Sequence, residues 1–304
     1  MKTAELSSLA PFAAALPDWG LVHAGGADAQ SFLHGQFTND LLNLAPDAAQ
    51  WNGYCSAKGR LYAAFLVWRD GADGFFMAAD RALLPGLVKR LRMFVLRAKV
   101  VLEDVSDTYQ VLGLAGQAGP APLQVAHEGR AALIGLPPVQ GFARSLAVSA
   151  KDAPIASELA AGSADDWQRL MIHAGEVWIT AATQEQFVPQ MVNLDAIGAI
   201  NFKKGCYPGQ EIVARAHYRG AVKRRAYLAH VEAPAKAGDA LFASDMNGQE
   251  SGLIANAAPA PGGGSDMLAV IQIQSHAQGR IHLGAADGPL LQFAELPYPI
   301  PAAA

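Results

Sequence analysis

The chain has 304 residues, of which 51% are apolar and only 16% are charged, so extended disorder is excluded and large buried cores are expected. The formal net charge of −4 argues against a uniformly basic coat for nucleic acids. The length indicates two or three domains, or one body with an appended module.

The apolar richness is not a membrane signature. The longest unbroken apolar run, 61–68, has eight residues, whereas a bilayer-spanning helix needs about 20. The first residues carry no basic leader region, so we expect a soluble, cytoplasmic protein. The only cysteines, Cys55 and Cys206, form no disulfide framework and no zinc-ligand pattern.

The first two thirds of the sequence predict a mixture of helices and strands. Helices are expected to begin after Asp28 and Asp80, because each is a good N-terminal cap and precedes apolar residues at helical spacing. The first of these helices is expected to carry apolar residues as far as Leu42. Two further helices are predicted over 154–161 and 164–174, and strands over 21–24, 51–56, 61–68, 74–79, 98–102, 110–114, 131–136 and 143–148.

Beyond about residue 220 the pattern changes to short β-like runs separated by glycine turns, which is typical of a small all-β module. We place a domain boundary near Gly220, between an α/β body over 1–219 and a C-terminal β-barrel-like domain over 220–304. The expected fold class is α+β. The C-terminal strands are predicted over 226–231, 240–243, 252–257, 267–274 and 280–283.

Residues 201–225 carry an unusual share of the positive charge. Seven lysines and arginines stand there against the single acid Glu211, a net charge of +6, which leaves −10 on the rest of the chain. Such segregation is typical of a surface that binds an anionic small molecule or phosphates. The alternative is a solvated turn whose charges pair with neighbouring acids.

Cys206 lies inside this segment, in a loop that Gly205 and Gly209 bracket. A helix is predicted to begin at about 208–211, because proline is favoured in a first helical turn and is followed here by Gln and Glu. A thiol beside a helix N-terminus and two lysines is expected to favour its thiolate form. Cys206 is thus a candidate functional residue, whereas Cys55, in an apolar strand, is expected to be structural.

The run KKGCYPGQEIVAR at 203–215 resembles the signature of the YgfZ family, folate-binding proteins related in fold to the glycine-cleavage T-protein and linked to maintenance of iron–sulfur enzymes. The resemblance covers nearly the whole chain, with further matches in GADAQSFLHGQFTND, CSAKGRLYAAFLVWRDG, RAKVVLED, FVPQMVNLDAIGAINF, HYRGAVKRR and ELPYPI. It implies a T-protein-like fold of three subdomains, two of them interleaved in the body, around a central opening. Tetrahydrofolate would bind at the centre of that opening, with the signature cysteine facing it.

The resemblance also implies candidate site residues. Cys206 would be the reactive group, and Arg215 would hold carboxylates such as the glutamate tail of a folate. Gln190 lies at or beside the position where T-protein relatives use a glutamate on the pterin ring, so its contact with the pterin is a hypothesis. No metal site is expected. The other candidates for folate binding are Lys204, Tyr207, Gln210, Glu211, Lys58 and Arg60.

One departure from the T-protein pattern bears on the function class. T-proteins carry a pair of aspartates just after the strand turn that corresponds to Lys58-Gly59, and this chain has Ala63 and Ala64 there. A methyl group can neither orient the folate amine nor accept a proton. Aminomethyl transfer by that route is therefore expected to be absent.

Three functions remain open at the level of the sequence. The first is a tetrahydrofolate-binding protein that supports assembly or repair of iron–sulfur enzymes and thereby tRNA modification, with iron–sulfur client or assembly proteins as partners. The second is a folate-dependent aminomethyl or methyl transferase. The third is a module that binds tRNA directly through residues 203–225, although the few aromatic residues of that segment argue against stacking on single-stranded bases.

Overall fold

The computed structural model describes residue 6 and residues 9–155, 157–220 and 222–301, which form three β-sheets with five α-helices around them. A large apolar core joins the first two sheets to one face of the third, and a smaller core covers the opposite face of the third sheet. No helix in the described ranges is long and apolar enough to cross a membrane.

The secondary structure is rich in strands. The helices are α1 (Ala29–His34), α2 (Leu84–Arg92), α3 (Ala164–His173), α4 (Gln210–Tyr218) and α5 (Ile273–Gln278). The strands are β1 (Phe12–Ala15), β2 (Trp19–Gly25), β3 (Ala49–Cys55), β4 (Leu61–Asp70), β5 (Gly74–Asp80), β6 (Val101–Asp104), β7 (Tyr109–Ala115), β8 (Val125–Glu128), β9 (Ala131–Val139), β10 (Phe142–Ala150), β11 (Ala160–Gly162), β12 (Arg224–Val231), β13 (Ala240–Ala243), β14 (Glu250–Pro259), β15 (Ser265–Gln272), β16 (Ile281–Leu283) and β17 (Gln292–Ala294).

The first sheet has the strand order β11-β1-β7-β10-β9-β8 and is antiparallel except for the parallel pair of β1 and β11. Because β1 precedes the second sheet in the chain and β7 to β11 follow it, the first two sheets are interleaved in sequence. The helix predicted over 154–161 is wrong. Residue 156 lies outside the described residues, and Ala160–Gly162 instead forms β11, where Phe12 pairs with Ala160. Pairing with β1 therefore overrides the local helix propensity of this segment.

The second sheet has the order β3-β4-β5-β2-β6, with all neighbours antiparallel. Most residues of β4 are buried, which explains why its sequence is an almost continuous apolar run. Ala63 and Ala64 lie buried in β4, opposite Tyr54 and Gly53 of β3. The strands predicted over 21–24, 51–56, 61–68 and 74–79 are confirmed, whereas the strand predicted over 98–102 begins only at Val101 and continues to Asp104.

The third sheet, β16-β13-β14-β15-β12-β17, is antiparallel and contains only residues that follow position 220. In β12, Ala226 and Leu228 face one core while Ala229 and Val231 face the other, as the two-residue period of a strand requires. The edge strands β16 and β17 are not paired with each other among the described residues, so the sheet is a half-barrel and the expected closed barrel is corrected. The proposed domain boundary near Gly220 falls between α4 and β12.

Helices α1 to α4 begin within a few residues of their predicted starts, but α1 is shorter than expected. It ends at His34, and the chain then turns because the Asp40 carboxylate accepts a hydrogen bond from the backbone N–H of Leu42 at 3.0 Å. Asp80 accepts a hydrogen bond from Ala82 N at 2.9 Å and so caps the short 3-10 turn that leads into α2. A reciprocal capping box between Ser163 and Asp166 fixes the start of α3. Helix α5 was not predicted: it begins at Ile273, inside the segment 267–274 that was expected to be a strand and that ends as a strand at Gln272.

Candidate functional site

The signature loop, which we define as residues 201–209, connects the body of the protein to α4. The Asn201 side chain shapes it, because its Oδ1 atom accepts hydrogen bonds from the backbone N–H groups of Lys203 at 2.8 Å and Lys204 at 3.0 Å. Gly205 and Cys206 follow, and both are exposed. The loop therefore presents the Cys206 thiol at the surface. Cys55 is buried as predicted, and burial raises the pKa of its thiol.

Lys204 does not point into solvent. Its ammonium donates hydrogen bonds to the backbone carbonyl oxygens of His34 and Phe37, the latter at 2.5 Å. These carbonyls lie at the C-terminal end of α1, where the helix dipole favours a positive charge. Burial lowers the pKa of Lys204 to about 8. Lys204 thus ties the signature loop to α1, and the buried Tyr207 ring covers the ammonium with its centroid 5.0 Å away.

The upstream turn, which we define as residues 56–60, packs against the signature loop. Gly59 and Gly209 both have a positive φ, of +69° and +80°, and a Cβ atom on Gly209 would lie 2.7 Å from the Gly59 Cα. Only glycine fits such an approach at both positions. Lys58 is exposed beside this contact, while Arg60 donates a hydrogen bond to the carbonyl oxygen of Gln186 at 2.6 Å. The structure therefore brings the two predicted motifs together.

Gln190 is fully buried and contacts α4 through a hydrogen bond. Its Nε2 atom donates a hydrogen bond to the carbonyl oxygen of Val213 at 2.7 Å, and its Oε1 atom has no partner among the described residues. Gln210 is partly buried in the first turn of α4, and Glu211 and Arg215 are exposed along the helix. Contact of these residues with a pterin or a glutamate tail stays a prediction.

Only part of the positive charge of 201–225 faces solvent. Arg225 is buried in a two-bond ion pair with Asp195, with N···O distances of 2.6 and 2.9 Å. Arg224 donates a hydrogen bond to the carbonyl oxygen of Ser251 at 3.1 Å, and Lys204 is held as described above. The exposed cations of the segment that form no ion pair with another described residue are Lys203, Arg215, Arg219 and Lys223.

Aromatic rings accompany these exposed cations. The Phe202 and His217 rings stack with centroids 3.7 Å apart and planes 14° apart, and Tyr218 meets His217 edge-on at 4.8 Å. Tyr218 is 65% exposed, and with Arg215 and Arg219 it lines a shallow depression of about 400 Å³. The sequence indicated few aromatic residues on this surface, because Phe202 precedes by 15 residues the His217 ring on which it stacks.

A separate cleft of about 260 Å³ lies where elements of all three sheets meet. Three of the five tryptophans of the chain line it, Trp19 from β2, Trp167 from α3 and Trp178. The Trp19 and Trp178 rings stack with centroids 4.1 Å apart. The other lining residues are Leu16, Pro17, Asp18, Asp80, Ala164, Asp165, Gln168, Thr180, Ala237, Asn256 and Ala257.

Trp167, which lines this cleft, carries a hydrogen-bond donor that no other described residue satisfies. The residue is buried, and its Nε1 atom has no partner among the described residues. A buried N–H group without an acceptor is costly, so an acceptor from a ligand or a water is expected there. The ring lies so close to the backbone of Gly113 that a Cβ atom at that position would overlap it.

Carboxylates complement this donor. Asp18, Asp80 and Asp165 line the same cleft. Burial, and to a smaller extent the charge of Asp18, raises the pKa of Asp80, although the carboxylate is held by the N–H group of Ala82. The cleft thus offers flat aromatic surface, one unpaired donor and carboxylate acceptors, a combination that suits a planar heterocycle with N–H groups.

This cleft was not predicted from the sequence, because none of the residues that line it is among the candidate site residues named above. Strand β3 connects it to the upstream turn: Trp51 stands near Trp178, with centroids 6.4 Å apart, and Ser56 directly follows the other end of the strand. Five residues of extended chain span about 16 Å. The three tryptophans could have indicated the cleft, but they are far apart in sequence.

No group of three or more metal-ligating side chains occurs in the described part of the chain.

The three-sheet α+β architecture is that of the aminomethyltransferase T fold. The crystal structure of glycine cleavage system aminomethyltransferase T from Bartonella henselae matches with a TM-score of 0.64, covering 94% of this chain and 85% of that chain. The sequences are only 12% identical, so this likeness shows the fold alone.

The family follows from sequence. The chain is 35% identical over 231 residues to the tRNA-modifying protein YgfZ of Shigella sonnei, a match that covers 70% of each protein. The YgfZ protein of Escherichia coli strain K12 gives the same identity and coverage. The chain therefore belongs to the YgfZ family. No protein-family model matches it.

Proposed function

We propose that this protein binds tetrahydrofolate and supports the assembly or repair of iron–sulfur enzymes, through which it promotes tRNA modification. The names of its relatives, which are tRNA-modifying proteins, support the last step. The T-protein fold supports the folate, because that fold is built around a folate-dependent reaction in the aminomethyltransferase. The tryptophan-lined cleft with its unpaired indole N–H is the observation that carries the proposal.

The residues of the cleft fit the pterin ring of a folate. Asp80 is placed to accept the adjacent N–H groups of the pyrimidine half of the ring, and Trp167 Nε1 to donate to an acceptor on it. Trp19 and Trp178 would provide the apolar wall. A volume of about 260 Å³ suits the ring rather than the whole folate, so the aminobenzoyl-glutamate part would extend out of the cleft. Bound tetrahydrofolate would supply a carrier of one-carbon units and a reduced ring that can donate electrons.

Cys206 is proposed as the reactive group, acting on a partner protein at the surface. The exposure of its side chain and the rigid support of its loop by Lys204 and Gly209 favour this role over a packing role. Lys58, Gln210 and Glu211 are proposed to shape the surface that a client or assembly protein contacts, and the buried Tyr207 is proposed to support the signature loop from inside. Arg215 is proposed to hold a carboxylate of the folate tail.

Calorimetric titration with tetrahydrofolate and 5-formyl-tetrahydrofolate tests folate binding directly. We expect saturable binding of at least one form, with a negative heat-capacity change because apolar surface of the cleft is buried. Absence of binding by both forms would remove the basis of the proposal.

A cellular experiment tests the role of the thiol. In cells that lack the native protein, the nucleosides made by iron–sulfur tRNA-modifying enzymes are quantified after expression of the wild type or of Cys206→Ala. The wild type is expected to restore them and the variant is not. Cys55→Ala, which removes the buried thiol, is the matched control. Full rescue by Cys206→Ala would contradict the role of the thiol.

Aminomethyl or methyl transfer to folate is the less favoured alternative. It needs a group near the folate amine that accepts a proton, and Ala63 and Ala64, both buried in β4, provide only methyl groups. Turnover of a methylamine-type donor with tetrahydrofolate would revive this alternative.

Direct contact with tRNA through residues 203–225 is favoured by one observation, the exposed Tyr218 ring between the unpaired cations Arg215 and Arg219. Bases stack on exposed aromatic rings and phosphates bind arginines. Binding of a tRNA through several phosphates is expected to weaken steeply with salt, and Arg215→Ala with Arg219→Ala should lower the slope of log K against log [salt] by about 2. An unchanged slope would exclude this surface.

A further inference from the structure

His34, at the C-terminal end of α1, faces the signature loop. A Cβ atom built on Gly205 would have the His34 Nε2 atom as its nearest neighbour, at 3.9 Å. Cys206 is the next residue along the chain, and its side chain is exposed. Exposed side chains change rotamer within nanoseconds, so the Cys206 side chain samples several orientations directly beside the residue that the His34 ring approaches.

Asp40 stands on the other side of the His34 ring. Its Oδ1 atom lies 3.3 Å from His34 Nδ1, and its carboxylate is fixed by hydrogen bonds from Asn43 Nδ2 at 2.8 Å and Leu42 N at 3.0 Å. The Nδ1 atom is buried and makes no well-aligned hydrogen bond with another described residue. The nearby carboxylate favours the tautomer with the proton on Nδ1, which leaves the lone pair of Nε2 on the side of the signature loop.

The charged groups around the ring keep His34 neutral near pH 7. Burial and the positive charge of Lys204 lower the pKa of His34, and the charge of Asp40 offsets only part of this. Lys204 also fixes the backbone that carries the ring, because its ammonium binds the backbone carbonyl oxygen of His34. A neutral imidazole with a free nitrogen toward a thiol is the arrangement of a base beside a nucleophile.

We propose that His34, oriented by Asp40, accepts the proton of the Cys206 thiol. In this step the S–H bond breaks, the proton moves to His34 Nε2, and the electron pair stays on sulfur, which gives a thiolate beside an imidazolium. No further reactant is needed. The inference rests on the proposed role of Cys206 as the reactive group, with Asp40 as a positioning residue.

The rate of alkylation of Cys206 by iodoacetamide, measured between pH 5 and pH 10, tests the step. The thiolate sulfur attacks the carbon of the reagent and expels iodide, and mass spectrometry assigns the label to Cys206 rather than to the buried Cys55. The wild type is expected to react well below the usual thiol pKa of about 8.5, with a second inflection from the imidazole. His34→Gln is expected to react about tenfold more slowly at pH 6.5 and to show a single ionisation.

Two further variants make the test specific. Asp40→Asn keeps the imidazole but removes the orienting charge, and it should give a profile between those of the wild type and His34→Gln. His127→Gln makes the same substitution at an exposed histidine of β8 and should leave the profile unchanged. Superimposable profiles for the wild type and His34→Gln, with both folded by circular dichroism, would overturn the inference. The alkylation profiles test only the role of His34. The proposed function is tested separately, by whether Cys206→Ala rescues tRNA modification in cells.

Discussion

Gly59 and Gly209 meet backbone to backbone: a Cβ atom on Gly209 would lie 2.7 Å from the Gly59 Cα, and a Cβ atom on Gly59 would lie 3.3 Å from the Gly209 carbonyl oxygen and 2.8 Å from the Ile212 Cβ. The contact presses the upstream turn against the signature loop and so fixes where Cys206 emerges. The thiol that we propose as the reactive group is therefore positioned by two residues that have no side chain. Substitution at either position is expected to act on stability first.

Gly209→Ala should destabilise the fold by about 3 kcal/mol. A left-handed conformation costs a non-glycine residue about 1–2 kcal/mol, and the clash with the upstream turn adds to this. Gly248→Ala is the matched control, because Gly248 has nearly the same φ, +78°, and nothing within 4 Å of its Cβ position. Urea denaturation of both variants separates the two contributions, and equal losses would show that the glycine contact is not tight.

Trp167→Phe should weaken binding of tetrahydrofolate about tenfold, because it removes the indole N–H and keeps an aromatic ring in the cleft. The loss is measured by calorimetric titration. Trp68→Phe is the control, since Trp68 is buried against Phe76 and does not line the cleft. A similar loss of affinity in both variants would indicate a general effect on folding.

Asp266 should make the protein sensitive to acid. Burial acts to raise its pKa, but hydrogen bonds from His173 and His230, together with the charge of Arg169, outweigh burial and lower the pKa to about 2. The lowered pKa contributes stability above the unfolded value of about 3.8, and this contribution is lost as the pH falls toward 2. In urea unfolding, the advantage of the wild type over Asp266→Asn should shrink by about 2 kcal/mol between pH 5 and pH 2. A constant difference across this range would count against the assignment.

The buried pair of Arg144 and Glu176 offers a test of interior electrostatics. Two parallel hydrogen bonds of 2.9 and 2.8 Å join them, and both side chains are almost fully buried. Glu176→Gln leaves the guanidinium charge without its counterion and should cost about 3–5 kcal/mol. The double variant Arg144→Met with Glu176→Leu should cost less than that single change. A more costly double variant in thermal or urea denaturation would refute this ranking.

The sequence predicted those parts of the fold that local chemistry determines. The apolar runs of β3 to β5, the capping residue before α2 and the apolar spacing of α3 located these elements to within a few residues. It failed at 154–161, where pairing with β1 determines the structure, and at the end of α1, where the Asp40 turn stops a helix that the apolar spacing would continue.

The candidate site was predicted in its motifs but not in its three-dimensional arrangement. The upstream turn and the signature loop, which contain the two motifs identified from the sequence, lie in contact in the structure. The net charge of 201–225, however, overstated the positive surface, because Lys204 binds carbonyl oxygens and Arg225 neutralises Asp195 inside the protein. The tryptophan cleft depends on residues brought together from β2, α3 and position 178, a juxtaposition that no local pattern in the sequence records.

The close packing of the Trp167 ring on Gly113 yields a diagnostic for comparing members of the family. Any side chain at position 113 would displace the indole and close the cleft, so a glycine there is a precondition for the tryptophan rather than an independent feature. Members that keep both residues are expected to retain a ring-binding cleft, and members that lose the glycine are expected to have lost the tryptophan as well. The presence of both Gly113 and Trp167 is therefore expected to distinguish, from sequence alone, proteins of this fold that have the cleft from those that lack it.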